Sequence, residues 1–192
     1  MKKILIGTHN KGKFNEIAYL IRKRIKKISP EKFKIKAPKE TGKTFKQNAE
    51  LKANYFAKFV NMTVISDDSG LCINALRGKP GILSARLAKR KGGFHKAMSY
   101  ILKKMKNQKK RSALFVCSLS IKIPGKKVVT VIGKLEGKIA YQILGNKGFG
   151  YDSIFIPKGK SLTFGQMSKA KKIKIDHRFI AFQKLKKKIK IL

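Results

Sequence analysis

The run Met62-Thr63-Val64-Ile65 constrains this chain more than any other stretch. It is short, apolar and β-branched, which reads as a buried strand. Ser66-Asp67-Asp68-Ser69-Gly70-Leu71 follows, at the point where a strand should give way to a glycine-containing loop. Two adjacent carboxylates are conspicuous in a chain with nine Asp and Glu against 48 Lys and Arg. At a strand end they suggest a metal or a proton to be managed. Asp, Ser and Gly are also ordinary turn residues, so on these six residues alone a solvated turn is the simpler reading.

The rest of the chain alternates in the same manner. Residues 3–7 read as a first strand, followed by a helical pattern with Phe14, Ile17, Ala18 and Ile21 on one face and Glu16 off it. Ser29-Pro30 breaks that helix, and Phe33 to Ala37 reads as a second strand. Thr44 caps a helix running to about Val60, with Phe45, Ala49, Ala53, Phe56 and Ala57 inward. A loop at Arg77–Gly81 precedes a helix through Phe94, Ala97, Met98, Ile101 and Leu102. Ala113–Leu119 and Val128–Ile132 read as antiparallel strands joined at Pro124-Gly125, Leu135–Tyr141 as a third, and Ile154–Ile156 as a last. A final helix places Ile180, Leu185 and Ile189 on one face. This pattern predicts an α/β fold with a mixed sheet.

Length bounds the chain to one domain or a two-lobed one, and we take residues 1–192 as a single domain. No apolar run approaches a membrane span, and Met1–Gly7 is too short in apolar residues for a signal peptide, so no membrane partner is expected. Cys72 and Cys117 lack a CxxC partner and read as buried hydrophobes of a reducing compartment. A formal charge of +39 attracts polyanions, so weak non-specific binding to nucleic acid follows. The basic runs are spread over every region, whereas a dedicated nucleic-acid surface is usually one tail or one face. The spread favours a general replacement of surface acids by lysine.

Three segments offer chemistry. Thr8-His9-Asn10-Lys11-Gly12-Lys13 lies between a strand and a helix, where backbone N–H groups, a hydroxyl, an amide and lysines suit phosphate, although it lacks Walker A spacing. Phe149-Gly150-Tyr151-Asp152, preceded by Gly148, lets backbone approach a ligand and offers a ring to stack on a base. Lys171-Lys172 precede Asp176-His177-Arg178, whose His and Arg supply donors for a carbonyl or phosphate oxygen.

Taken in order, "THNKGK" with Glu16, "ETGKTFKQNAELKA", "SDDSGL", "GKPGILSAR", "GFGYDSIF" and "MSKAKKIKIDHR" resemble the inosine triphosphate pyrophosphatase family, the HAM1/RdgB-like non-canonical purine nucleoside triphosphate pyrophosphatases, over about residues 4–185. The resemblance implies an elongated mixed sheet flanked by helices, in two lobes with a central cleft, working as a cytoplasmic homodimer. It implies Mg²⁺-dependent hydrolysis of ITP, dITP or XTP to the monophosphate and pyrophosphate. Thr8, Asn10 and Lys13 then bind phosphates, with His9, Lys11 and Gly12 in the same segment, and Lys52 points at the triphosphate. Glu40 helps hold Mg²⁺. Asp68 is the general base and a metal-associated residue, Asp67 stands beside it, and Ser69 touches substrate. Phe149, Gly150, Tyr151 and Asp152 with Lys172, His177 and Arg178 form the nucleobase and sugar pocket. Two alternatives remain: a Maf-type pyrophosphatase of other nucleotides, against which the His-Arg pair argues, and a basic nucleic-acid-binding protein on the same fold.

The acids give an internal check, since Glu16, Glu40, Asp67, Asp68 and Asp152 fall on family motif positions although acids are scarce elsewhere. If solvated acids have been replaced, the survivors should have a task. Gln47 and Gln166 stand where the family often has Glu, and Asp176 replaces the usual Ser before His-Arg, which bears on base specificity.

Overall fold

β1 (Lys3–Ile6), β2 (Lys26–Ile28), β3 (Thr63–Ile73), β4 (Ser112–Lys122), β5 (Val129–Ile139) and β6 (Phe155–Pro157) form one sheet in the order β2-β1-β3-β4-β5-β6 in a computed structural model that describes residues 2–189. β1 pairs with both β2 and β3 in parallel, and β5 pairs with β6 antiparallel. β4 and β5 are sheet neighbours joined by only residues 123–128, too few for a crossover, so they too run antiparallel. The helices are α1 (Lys11–Leu20), α2 (Phe45–Ala57), α3 (Ser84–Arg90), α4 (Phe94–Lys104), α5 (Lys169–Lys172) and α6 (His177–Lys188). The expected α/β class with a mixed sheet is what forms. Met1 and residues 190–192, which the single domain over 1–192 takes in, lie outside the described residues.

Four expectations about elements are corrected. The second strand is Lys26–Ile28 rather than Phe33–Ala37, because Pro30 opens a 3₁₀ turn over Pro30–Phe33 and Lys34 sits at φ 54°, a left-handed conformation no strand residue adopts. β3 does not stop at Ile65 but runs through both aspartates to Ile73. Gly70 is accommodated inside it because a Cβ there would strike the Gly81 carbonyl and Ser84 Oγ. The strands expected at 128–132 and 135–141 are one strand, β5, whose exposed residues hold every second position: Ile132, Lys134, Glu136 and Lys138. α3 was not anticipated, its seven residues being too short to show a period.

The chain divides into two compact units. Among the described residues, unit 1 takes in 2–68, 117–133 and 178–189, and unit 2 takes in 69–116 and 134–177. In unit 1 strand alternation sorts the core into two clusters. Ile4, Ile6 and Ile65 pack with Ile17 and Ile21 from the α1 segment and with Phe182 and Leu185 of α6. Leu5 and Val64, pointing the other way, pack with Ile28, Ile35 and Phe56 of α2. In unit 2 Leu71, Ile73, Phe115 and Phe155 meet Leu87 of α3, Met98 and Ile101 of α4, and Phe164. Arg111, buried, donates to the carbonyls of Met105, Ile139 and Ala140 and ties the end of α4 to the end of β5. Among the described residues no helix is long and apolar enough to cross a membrane.

Candidate active site

The same alternation that sorts the core separates the two aspartates. Asp67 follows the parity of Ile65 and faces α1 and α6. Asp68 follows that of Val64 and faces α2. Both are buried, Asp67 at 0% and Asp68 at 4% exposure, so the solvated-turn reading is excluded.

On the first face, Asp67 Oδ2 lies 3.3 Å from Lys13 Nζ and 3.4 Å from Arg178 Nε. Arg178 Nη1 donates to Glu16 Oε2 at 2.7 Å, and both partners are buried. Lys13 stands at the start of α1, whose N-cap Asn10 accepts the Lys13 N–H through Oδ1 at 2.9 Å. Thr8 Oγ1 accepts the Asn10 N–H at 3.2 Å and closes the turn before the helix. His9 Nε2 lies 2.9 Å from the Ile35 carbonyl, and Lys11 is exposed, with Gly12 half-buried between it and Lys13. The segment "THNKGK" is thus a helix entry capped by its own Asn10.

On the second face, α2 presents Asn48, Lys52 and Phe56 at helical spacing. Lys52 Nζ lies 2.6 Å from Glu40 Oε1. Burial alone would lower the pKa of Lys52, but the carboxylates of Asp67, Glu40 and Asp68 outweigh it and raise the pKa, so the ammonium stays charged. For Asp68 burial dominates in the opposite direction and raises the carboxyl above the ordinary aspartate range, against the pull of Lys52 and Lys13. Asn48 Nδ2 donates to Asp68 Oδ2 at 3.0 Å, and Asn48 Oδ1 accepts the Gly42 N–H at 2.8 Å.

Unit 2 holds a second group. Lys172 Nζ contacts Asp152 Oδ2, and the same oxygen accepts the Phe149 N–H at 2.8 Å. Lys172 Nζ also lies over the rings of Phe149 (4.7 Å) and Phe164 (5.4 Å). Gly148 sits at φ 77°, and a Cβ there would run into Asp152 Oδ2, so the loop closes on its own carboxylate only with glycine at that position. Gly150 adopts φ 69°. The His177 ring stacks on Phe115 at 4.7 Å and 11°. Tyr151 is a core anchor: its hydroxyl donates to the Ser84 carbonyl at 2.9 Å and its ring meets Phe94 edge-on. Ser69, half-buried, begins the unit-2 half of β3.

The resemblance implies a divalent metal near Lys52. Glu40 and Asp68 offer carboxylate oxygens, the hard donors Mg²⁺ prefers, and Mg²⁺ commonly takes one or two carboxylates and completes its shell with phosphates and water. Among the described residues no three His, Cys, Asp or Glu side chains converge. Glu40 and Asp68 therefore fit. Asp67, expected beside them, lies with Oδ2 3.3 Å from Lys13 Nζ and 3.4 Å from Arg178 Nε.

One site residue escaped the sequence reading, and a second was placed on the wrong face of its helix. Asn48 lies in the quoted α2 motif, and its i, i+4 spacing to Lys52 was the available signal. Glu16, read as off the inward face of its helix, is buried against Arg178; a carboxylate spaced i+3 from Lys13 was the signal.

Fold and site together define a class: an α/β protein in which a buried strand carboxylate faces a charged lysine, with a capped helix entry beside it. The chain belongs to the Ham1 family, whose model matches residues 4–188. It is 42% identical over 192 residues to the dITP/XTP pyrophosphatase of Bacillus subtilis (strain 168), covering 97% of this chain and 96% of the other. It superposes on the structure of the Staphylococcus aureus Ham1 protein with a TM-score of 0.87 at 37% identity, covering 98% of each chain. A HAM1 protein from Coxiella burnetii aligns with a TM-score of 0.88 at 31% identity over 100% of both chains.

Proposed function

We propose that this chain is a nucleoside triphosphate pyrophosphatase that hydrolyses dITP, ITP or XTP to the nucleoside monophosphate and pyrophosphate, removing non-canonical purines from the nucleotide pool. The observation that carries the reading is the buried Asp68 carboxylate, oriented by Asn48 and set beside the Lys52–Glu40 pair, in a chain of this family. Splitting a triphosphate between its α and β phosphates asks a water to attack phosphorus against about four negative charges, so cations and a base are required.

Asp68 takes the proton from that water, and burial makes its carboxylate a stronger base than an exposed aspartate. Lys52 and Lys13 offset the phosphate charge. Thr8, His9, Asn10, Lys11 and Gly12 line the helix entry that receives phosphate oxygens. Mg²⁺, when bound, adds Lewis-acid polarisation of the phosphates, with Glu40 and Asp68 as its protein ligands. Asp67 holds Lys13 and Arg178 in place rather than serving as a ligand, and Ser69 touches substrate. Phe149, Gly150, Asp152, Lys172, His177 and Arg178 serve the base and sugar, with Tyr151 anchoring their loop. A 6-oxo purine accepts a hydrogen bond where adenine would present a second donor, so donors on these residues favour inosine and xanthosine over adenosine.

The reading also carries a single cytoplasmic domain working as a homodimer, supported by the family resemblance. Nucleic-acid binding is not favoured as the main activity, because the buried carboxylates and their partners would serve no purpose there. The test is pyrophosphate release from dITP, ITP, XTP, GTP and ATP with Mg²⁺. Faster turnover of dITP, ITP and XTP supports the proposal, and equal rates on all five would overturn it.

A further inference from the structure

Asn48 is fully buried on α2, and the chemistry of its two neighbours fixes which way its amide points. The Gly42 N–H can only donate, so it must face the carbonyl Oδ1, 2.8 Å away. Nδ2 is then obliged to face Asp68 Oδ2, at 3.0 Å. One side chain therefore ties the loop that carries Glu40, two residues before Gly42, to the carboxylate of Asp68. A solvated polar residue would do neither, and a buried amide placed only for packing would not meet a backbone donor and a carboxylate at once.

Resting on the proposed reading of the site, we propose that Asn48 is a positioning residue that sets the rotamer of Asp68 and the distance of the Glu40 loop from it. Positioning of this kind acts on the reacting geometry rather than on substrate affinity, because Asn48 itself is shielded from solvent and from substrate. The Thr44 cap, whose Oγ1 accepts the Gln47 N–H at 3.1 Å, holds the start of α2 independently, so the helix does not depend on Asn48.

The experiment pairs two variants with one spectroscopic measurement. Asn48→Ala removes both hydrogen bonds. Asn48→Asp keeps an acceptor for Gly42 but offers Asp68 a carboxylate in place of a donor. Both should fold and lower kcat on dITP by roughly 10²-fold with KM within about threefold, since small misplacements at a reacting centre cost of that order. In parallel, the Asn48 side-chain amide resonance of the wild-type protein, assigned by its loss in Asn48→Ala, should move when Asp68 is changed to Asn. An active wild type whose Asn48 variants keep kcat within threefold, variants that fail to fold, or an amide resonance indifferent to Asp68→Asn would each overturn the proposal. A wild type that releases no pyrophosphate would instead overturn the proposed function, while the resonance still decides whether Asn48 holds Asp68.

Discussion

Five of the nine acids, Glu16, Asp67, Asp68, Asp152 and Asp176, are buried, whereas Glu31 and Glu136 are exposed. Each of the first four buried acids meets a cation or a hydrogen-bond donor, as expected of acids that survive where solvated ones are scarce. What the sequence could not display is direction. Two adjacent aspartates look like one feature in a string, but successive side chains of a strand point to opposite faces, so Asp67 pairs with Lys13 and Arg178 while Asp68 takes the Asn48 amide. Asp68→Asn is expected to abolish turnover while leaving the circular dichroism spectrum unchanged; a variant that kept most activity would remove Asp68 from the base role. The direction of its pKa adds a second expectation. Burial raises the Asp68 pKa, so the proton is retained to higher pH than on an exposed aspartate, and the base form is lost as pH falls through that raised value. The acid limb of kcat/KM should therefore lie above the usual aspartate range and move to lower pH as Mg²⁺ is increased, because a bound cation favours the ionised form. An acid limb that ignored Mg²⁺ would contradict a shared site. For Glu16→Ala, which leaves Arg178 buried with one of its carboxylates gone, a loss of about 3 kcal/mol is expected, at the lower end for a broken buried pair. Thermal unfolding should drop by roughly 6–12 °C for a chain of this size.

Elements were legible where local chemistry decided them and illegible where a distant neighbour did. The Thr44 cap and Pro124-Gly125 turn were readable because a single residue type has a strong local preference there. The continuation of β3 through "SDDSGL" was not, since those residues prefer turns and are held extended by burial and by pairing with β4. The misplaced second strand failed for the converse reason: Phe33–Ala37 has strand-like composition, but Pro30 and the left-handed Lys34 set the backbone. Arg111 shows how an element boundary is fixed from afar. Replacing it with Lys leaves one nitrogen for three buried carbonyls, and at about 1–3 kcal/mol for each of the two left unpaired the variant should lose roughly 2–6 kcal/mol. Denaturant unfolding measures this directly, and a variant as stable as the parent would show that the carbonyls find other partners.

At the scale of the molecule, the +39 charge has no counterpart in the site geometry and acts on stability instead. Self-repulsion among so many cations opposes the compact state, and salt screens it. The melting temperature should rise between low and physiological salt, and a steady fall would contradict this. The family and the α/β class were readable because six motifs keep their order over nearly the whole chain. Which residues each motif touches needed the folded neighbours. The central claim is that water, activated by Asp68, attacks the α-phosphorus. Hydrolysis of dITP in ¹⁸O-labelled water, with products resolved by mass spectrometry, tests it most directly. The account predicts one labelled oxygen in the nucleoside monophosphate and unlabelled pyrophosphate; label in pyrophosphate, or release of orthophosphate, would contradict it.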